Sequence, residues 1–267
     1  MGSSIMPAKN ITILTGAGIS AESGIPTFRG PEGYWTVGSR EYRPQEMATY
    51  AMFCQYPEEV WKWYLYRLGV CQDASPNDGH KALVELETYL QDRFTLVTQN
   101  VDGLHLVAGN SLDRTYQIHG NVYYMRCADE CQTSIYPLPL ELLPREKDQP
   151  ITTEEKDLLS CPDCHARTRP HVLWFDEMYN EHYFRFDSAM QAAILTDLLI
   201  VAGTSGATTL PNHIAKTVLG RGKPVIDVNI EENPFSEMAK QSNGGRFIQD
   251  TCSNGLQEIT ELIKKDF

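Results

Sequence analysis

The chain lacks any long apolar run. Nothing in it approaches the roughly 20 consecutive apolar residues of a membrane-spanning helix. The longest stretch, residues 198–202, lies between Asp197 and Gly203. A basic run is absent too. The 23 Lys and Arg stand against 35 Asp and Glu, a formal charge of −12. So negative a body repels phosphate backbones, which excludes nucleic acid as a general partner. Residues 1–10 carry no apolar signal core, and Met6 stands where a myristoylation pattern needs Ser or Thr. The expected compartment is the cytoplasm, with no membrane partner. An odd total of seven cysteines speaks against a disulfide scaffold. No internal repeat is visible.

What is present is ordinary globular material. The 267 residues are 42% apolar and 22% charged, enough for one large domain or a large domain with a smaller one inserted. Short β-branched runs at 11–14, 94–98, 198–202 and 225–228 read as buried strands. Between them Leu83, Leu86 and Leu90 share one helix face, as do Leu256, Ile259 and Ile263. Alternating strands and helices predict an α/β fold, a Rossmann-like parallel sheet with helices on both faces. Each strand runs into small or polar residues: Thr15-Gly16-Ala17-Gly18, Gln99-Asn100-Val101-Asp102, Gly203-Thr204-Ser205 and Asn229. Ligands of open α/β sheets sit at the carboxyl ends of the strands, so these loops define one candidate site.

Segments 33–90, rich in aromatics, and 123–169, with paired cysteines and a Pro-rich stretch, break the alternation. They predict a smaller domain. The expected division is 8–33, 91–122 and 170–267 for the Rossmann-like domain, 34–90 for a helical module and 123–169 for a module carrying the paired cysteines. Cys127-x3-Cys131 and Cys161-x2-Cys164 form two clips 30 residues apart. Four thiolates suit one tetrahedral Zn²⁺ with no open position for water, a structural site. His165 and His171 are alternative ligands.

The first glycine loop, residues 16–26, departs in its glycine spacing from the dinucleotide fingerprint and has no acidic ribose residue about 20 residues on. On its own, Gly16-Ala17-Gly18 reads equally as a structural turn. The whole run Gly-Ala-Gly-Ile-Ser-Ala-Glu-Ser-Gly-Ile-Pro-Thr-Phe-Arg resembles the signature of the sirtuins, NAD-dependent protein lysine deacylases. The resemblance extends over 99–102, His119-Gly120, the four cysteines, 203–205 and Asn229. It implies that NAD is a consumed co-substrate and that one structural zinc is present. The partner it implies is an acylated lysine peptide; a monomer is the expected state.

None of the seven histidines stands out by pattern alone. The resemblance makes His119 the general base, suited to work near neutral pH. It implies that the acyl oxygen attacks C1′ of the nicotinamide ribose and nicotinamide leaves. His119 then deprotonates a ribose hydroxyl, and hydrolysis yields lysine and O-acyl-ADP-ribose. Asn100 matches the residue holding the ribose and a water, and Asp102 the one gripping the carboxamide. Gly16, Ala17, Gly18, Glu22, Phe28, Arg29, Gln99, Val101, Gly203, Thr204, Ser205, Asn229 and Cys252 complete the NAD site.

Tyr64 and Arg67, three residues apart on a helical stretch, share a face. Ordinary packing accounts for that spacing. The pair also resembles the sirtuin subgroup that removes succinyl and malonyl groups, with Ala48 leaving room for a longer acyl chain and Arg67 pairing with its carboxylate. Val172, Trp174, Phe175 and Asp176 match the strip that receives the substrate peptide. The family's Phe-Gly-Glu is Phe175-Asp176-Glu177 here. Asp176 either favours basic peptides or repels acidic acyl chains. Two other classes compete with a deacylase: an NAD-cleaving ADP-ribosyltransferase or NAD hydrolase using the same residues, and a non-enzymatic zinc-ribbon module.

Overall fold

The computed structural model describes residues 10–27, 35–37, 39–142, 146–147 and 149–266. Its strands are β1 Ile11–Thr15, β2 Trp35–Val37, β3 Arg40–Tyr42, β4 Phe94–Thr98, β5 Thr115–Gln117, β6 Gly120–Cys127, β7 Ile135–Pro137, β8 Thr168–Val172, β9 Leu198–Ala202, β10 Val225–Asn229 and β11 Arg246–Gln249. Six of them form a sheet in the order β11-β10-β9-β1-β4-β5. All five pairings are parallel. Every residue of β1 and β9 is buried, as expected of strands covered on both faces.

Alternate side chains of each strand serve opposite layers. Ile11, Ile13, Leu96 and Ile200 join one apolar core with Leu83, Leu86 and Leu90 and with Leu256, Ile259 and Ile263. Leu14, Val97, Leu199 and Val201 join the other, with Ala193, Ile214, Val218 and Phe235. Both helix faces read from the sequence therefore meet the sheet. The helix Asp78–Leu90, grouped from the sequence with the 34–90 module, contributes its leucines to the core that the sheet shares with the helix Cys252–Asp266.

A third core is shared by two modules. Met47, Phe53, Trp61, Tyr64 and Leu65 pack with Val122 and Met125 of β6, with Leu142, Ile151 and Leu159, and with Val172 and Trp174. β6 lies between β7 and β8, antiparallel to both. The expected boundaries at 122/123 and 169/170 thus fall inside two strands of one small sheet. Trp61 Nε1 donates to the Thr168 carbonyl at 3.0 Å and ties the long helix Pro57–Asp73 to β8.

Candidate active site

The sheet reverses direction of travel between β1 and β9, and the glycine loops meet there. The Gly16 N–H donates to the Ala202 carbonyl at 3.0 Å and the Gly18 N–H to the Gly203 carbonyl at 2.7 Å. Contact is so close that a Cβ on Gly18 would lie 2.6 Å from Gly203 Cα. Gly203 itself has φ +63°, a conformation that glycine adopts without strain. This is the switch point where doubly wound folds take their ligands.

The loop after β4 supplies the polar groups. Asn100 and Asp102 are both buried. Ser20 Oγ donates to Asp102 Oδ2 at 2.7 Å and accepts from Asn100 Nδ2 at 3.1 Å. The other Asp102 oxygen accepts the Leu104 N–H at 2.9 Å. Burial raises the Asp102 pKa, while Leu104, Ser20 and the Arg67 charge pull it back. Gln99 bridges to the next loop: its Nε2 donates to Thr204 Oγ1 and its Oε1 accepts from Thr208 Oγ1, each at 2.9 Å. Asn229 Nδ2 donates to the Thr204 carbonyl at 3.0 Å. Glu22 Oε2 accepts the Ser253 N–H at 3.0 Å, beside buried Cys252 at the start of the helix Cys252–Asp266.

His119 follows β5 and directly precedes β6. Its Nδ1 lies 2.9 Å from the Gln99 carbonyl. A carbonyl only accepts, so Nδ1 carries the hydrogen and Nε2 keeps its lone pair. That is the tautomer a general base needs. Burial pulls the His119 pKa down to about 4, against a smaller raising effect of the Gln99 carbonyl, so the imidazole is neutral at physiological pH. Gly120 at φ +81° lets β8 close in, since a Cβ there would fall 2.1 Å from the His171 carbonyl. Val172 pairs in register with Gly120, and the Leu173 N–H donates to the His119 carbonyl at 2.9 Å.

A second wall adjoins this centre. Trp174 Nε1 donates to the Tyr64 hydroxyl at 2.9 Å. Burial raises the Tyr64 pKa and keeps the phenol protonated. The charge of Arg67 bears on both Tyr64 and Asp102, and its guanidinium stacks 5.4 Å from the Trp63 ring centroid. Buried Ala48 accepts the Phe175 N–H through its carbonyl at 2.9 Å. Trp174 N–H donates to Glu177 Oε2 at 2.9 Å, and Glu177 is held by the buried Arg169. The N–H groups of Leu173, Trp174 and Phe175 are thus all engaged within the protein. The Asp176 carboxylate accepts the N–H groups of Tyr50 at 2.6 Å and Ala51 at 3.0 Å. It takes up the first two amides of the helix Tyr50–Gln55, beside the Thr49 N-cap.

The four cysteines converge. All their sulfurs lie within 4.8 Å of one another, with Cys127 to Cys164 at 3.6 Å and Cys131 to Cys161 at 3.7 Å. Tetrahedral Zn–S bonds require sulfurs about 3.8 Å apart, so the cluster fits a structural zinc. Neither alternative ligand joins it among the described residues. His165 sits in a left-handed turn at φ +61°, and His171 stacks on Phe184 at 5.8 Å.

The structure thus gathers the strand-end residues, His119 and the Tyr64–Trp174 wall on the same side of the fold. Phe28 and Arg29 lie outside the described residues. Three site residues have roles that the sequence did not indicate. Ser20 lies inside the recognised glycine loop, but nothing local shows that its hydroxyl meets Asp102. Asn77 donates to the Ile19 carbonyl at 2.7 Å and props that loop. Tyr179 places its hydroxyl 2.8 Å from His119 Nε2.

A tight glycine crossover at the switch point, a buried Asn–Ser–Asp cluster and a neutral histidine thus lie at the strand ends. Comparison gives that site its family. The Sir2 family model matches residues 16–209. The chain is 40% identical over 255 residues to the NAD-dependent protein deacylase of Leptospira interrogans serogroup Icterohaemorrhagiae serovar Lai (strain 56601), covering 96% of this chain and 93% of that protein. A solved Sir2 homologue mutant complexed with 2′-O-acetyl ADP ribose is 34% identical with a TM-score of 0.79, covering 97% of this chain and 93% of that one. A Sir2–p53 peptide–NAD+ structure is 26% identical with a TM-score of 0.74, covering 95% and 93%. The chain belongs to the Sir2 family.

Proposed function

We propose that this protein removes acyl groups from protein lysine side chains at the expense of NAD, and that its pocket favours acyl chains ending in a carboxylate. NAD supplies the electrophilic ribose carbon and ends as the acyl acceptor. His119 is the base: its Nε2 takes the proton of a ribose hydroxyl while the Gln99 carbonyl holds the ring. Asn100 orients the ribose, and Asp102, anchored by Ser20 and Leu104, accepts from the carboxamide. Gly16, Gly18 and Gly203 admit the pyrophosphate to the loop backbone. Thr204, Ser205, Asn229 and Cys252 line the adenosine side, and the cysteine cluster holds zinc away from the chemistry.

The observation that carries the acyl preference is the Tyr64–Trp174 hydrogen bond. Because Tyr64 accepts from the indole, its own hydrogen is directed to a further acceptor. The Arg67 charge acts on the same phenol. A protonated phenol and a guanidinium together suit a carboxylate. Mass spectrometry of acetyl-, succinyl- and malonyl-lysine peptides incubated with enzyme and NAD tests the reading. Deacylation with stoichiometric O-acyl-ADP-ribose, faster for the acidic acyl groups, is expected. Nicotinamide release without deacylated peptide would replace it with an ADP-ribosyl-transfer or NAD-hydrolysis activity.

A further inference from the structure

Both ring nitrogens of His119 are engaged. Nδ1 faces the Gln99 carbonyl at 2.9 Å. Nε2, the only nitrogen left to accept a proton, faces the Tyr179 hydroxyl at 2.8 Å. Since Nε2 carries no hydrogen, the phenol is the donor. The two rings lie 5.8 Å apart at 34°, and Tyr179 is backed by Phe186 at 6.3 Å. Thr208 lies close enough to Tyr179 to act on its ionisation, and it gives its one hydroxyl hydrogen to Gln99 Oε1. One short network therefore grips the base from both sides and reaches the loop after β9.

We propose that Tyr179 is a positioning residue for the base: its hydroxyl occupies the His119 Nε2 lone pair, at the place a ribose hydroxyl must later take. The proposal rests on His119 being the base. Its physical content is simple. A donor on Nε2 fixes the ring rotamer and favours the neutral imidazole. The same donor competes with any substrate hydroxyl for the one lone pair available. Tyr179 lies two residues after Glu177, at the end of the segment matched to peptide binding, so a peptide seated there is well placed to loosen the contact.

Few groups compete for control of this imidazole. From the β4 loop it faces the Gln99 carbonyl, and from the segment after β8 the Tyr179 phenol. Asp102, on the same loop as Gln99, turns to Ser20 and Leu104. Among the described residues only burial and the Gln99 carbonyl otherwise bear on its ionisation.

The test is Tyr179→Phe, read by the pH profile of kcat/KM for NAD and by ADP-ribose affinity. The kcat/KM profile reports ionisations of the free enzyme. Loss of the donor should move the acid limb to higher pH, by about half a unit to one unit for a neutral hydrogen bond. ADP-ribose, which no longer has to displace a phenol, should bind about 2–10-fold tighter. Replacing Tyr179 by 3,5-difluorotyrosine, a stronger donor of similar shape, should move the limb the other way and keeps the test open if Tyr179→Phe folds poorly. A limb unmoved by either change, or weaker ADP-ribose binding in Tyr179→Phe, overturns the proposal. His119→Ala separates the two assumptions. Retained turnover there removes His119 as the base, whereas an inactive His119→Ala with an unmoved limb in the Tyr179 variants overturns the role of Tyr179 alone.

Discussion

The indole of Trp174 donates to the hydroxyl of Tyr64 across 110 positions of chain at 2.9 Å. This joins the segment matched to peptide binding to the wall of the proposed acyl pocket. The bond also settles the phenol's polarity, since its oxygen accepts and its hydrogen points elsewhere. Tyr64→Phe should therefore lower kcat/KM for succinyl-lysine peptide more than for acetyl-lysine peptide. Arg67→Met, which keeps much of the stem and removes the charge, should do so more strongly. A charge-assisted hydrogen bond contributes about 1.5–3 kcal/mol, or roughly 10–100-fold in acyl preference. Measuring both peptides with each variant checks this. Equal losses on the two peptides would reduce Arg67 to packing on Trp63.

Asp176 replaces the glycine expected from the family pattern, and from the sequence it threatened to repel an acidic acyl group. In the structure its carboxylate is committed to the Tyr50 and Ala51 amides. Asp176→Gly should then leave the succinyl-to-acetyl ratio of kcat/KM unchanged. It should lower stability instead, by about 0.5–2 kcal/mol for lost acceptors at a helix N-terminus, read as a reduced Tm. A clear gain in desuccinylation with unchanged Tm would place the carboxylate at the acyl terminus after all.

Legibility from sequence followed the range of the contact. The strand-end loops, His119-Gly120 and the cysteine clips are local motifs, and their residues lie where the order of strands and turns puts them. The parallel sheet was likewise readable, because buried β-branched runs and leucine faces are written into short windows. Contacts between distant segments were not. Tyr179 and His119 are 60 residues apart, and Asp176 and Tyr50 are 126 apart; no pattern near either residue reveals the partner. Assigning the helix Asp78–Leu90 to a module was hard for the same reason, since its leucines show an apolar face without saying which surface covers it.

The cysteine cluster makes a separate prediction. Two of its members, Cys127 and Cys161, are buried, while Cys131 and Cys164 are exposed. β6 ends at Cys127 and β8 starts just past Cys164, so a bound metal would pin both strands of the small sheet. Elemental analysis should find one zinc per chain. Chelation or Cys127→Ser should lower Tm and soluble yield, because metal binding adds to folding free energy. Full stability with zinc removed would show that the small sheet stands without it.

Four desolvated histidines, three of them buried and His119 half-buried, predict the response to acid. Burial pulls His80 and His119 down to about 4 and His171 to about 3 from an ordinary 6.5, and His105 lies well below that value too. A folded-state pKa below the unfolded one means that the unfolded chain binds protons the native state refuses. Their contribution is constant above pH 6.5 and is lost progressively as pH falls from 6.5 through about 4. Two buried carboxyls act in the opposite sense. Asp227 is raised from 3.8 to about 7 and Asp102 is raised as well, so each favours the folded state on acidification. Four imidazoles outnumber them, and a net fall in Tm is expected. His80 is the cleanest probe, because neither of its ring nitrogens has a hydrogen-bond partner and its ring lies 4.8 Å from that of His105. His80→Leu should make Tm equal or higher at pH 7.5 and flatten its decline between pH 6.5 and 4. Calorimetry across that range decides it. A decline as steep as in the original protein would mean that His80 stays unprotonated in the unfolded chain or gains a partner on protonation, and the burial argument would not hold for it.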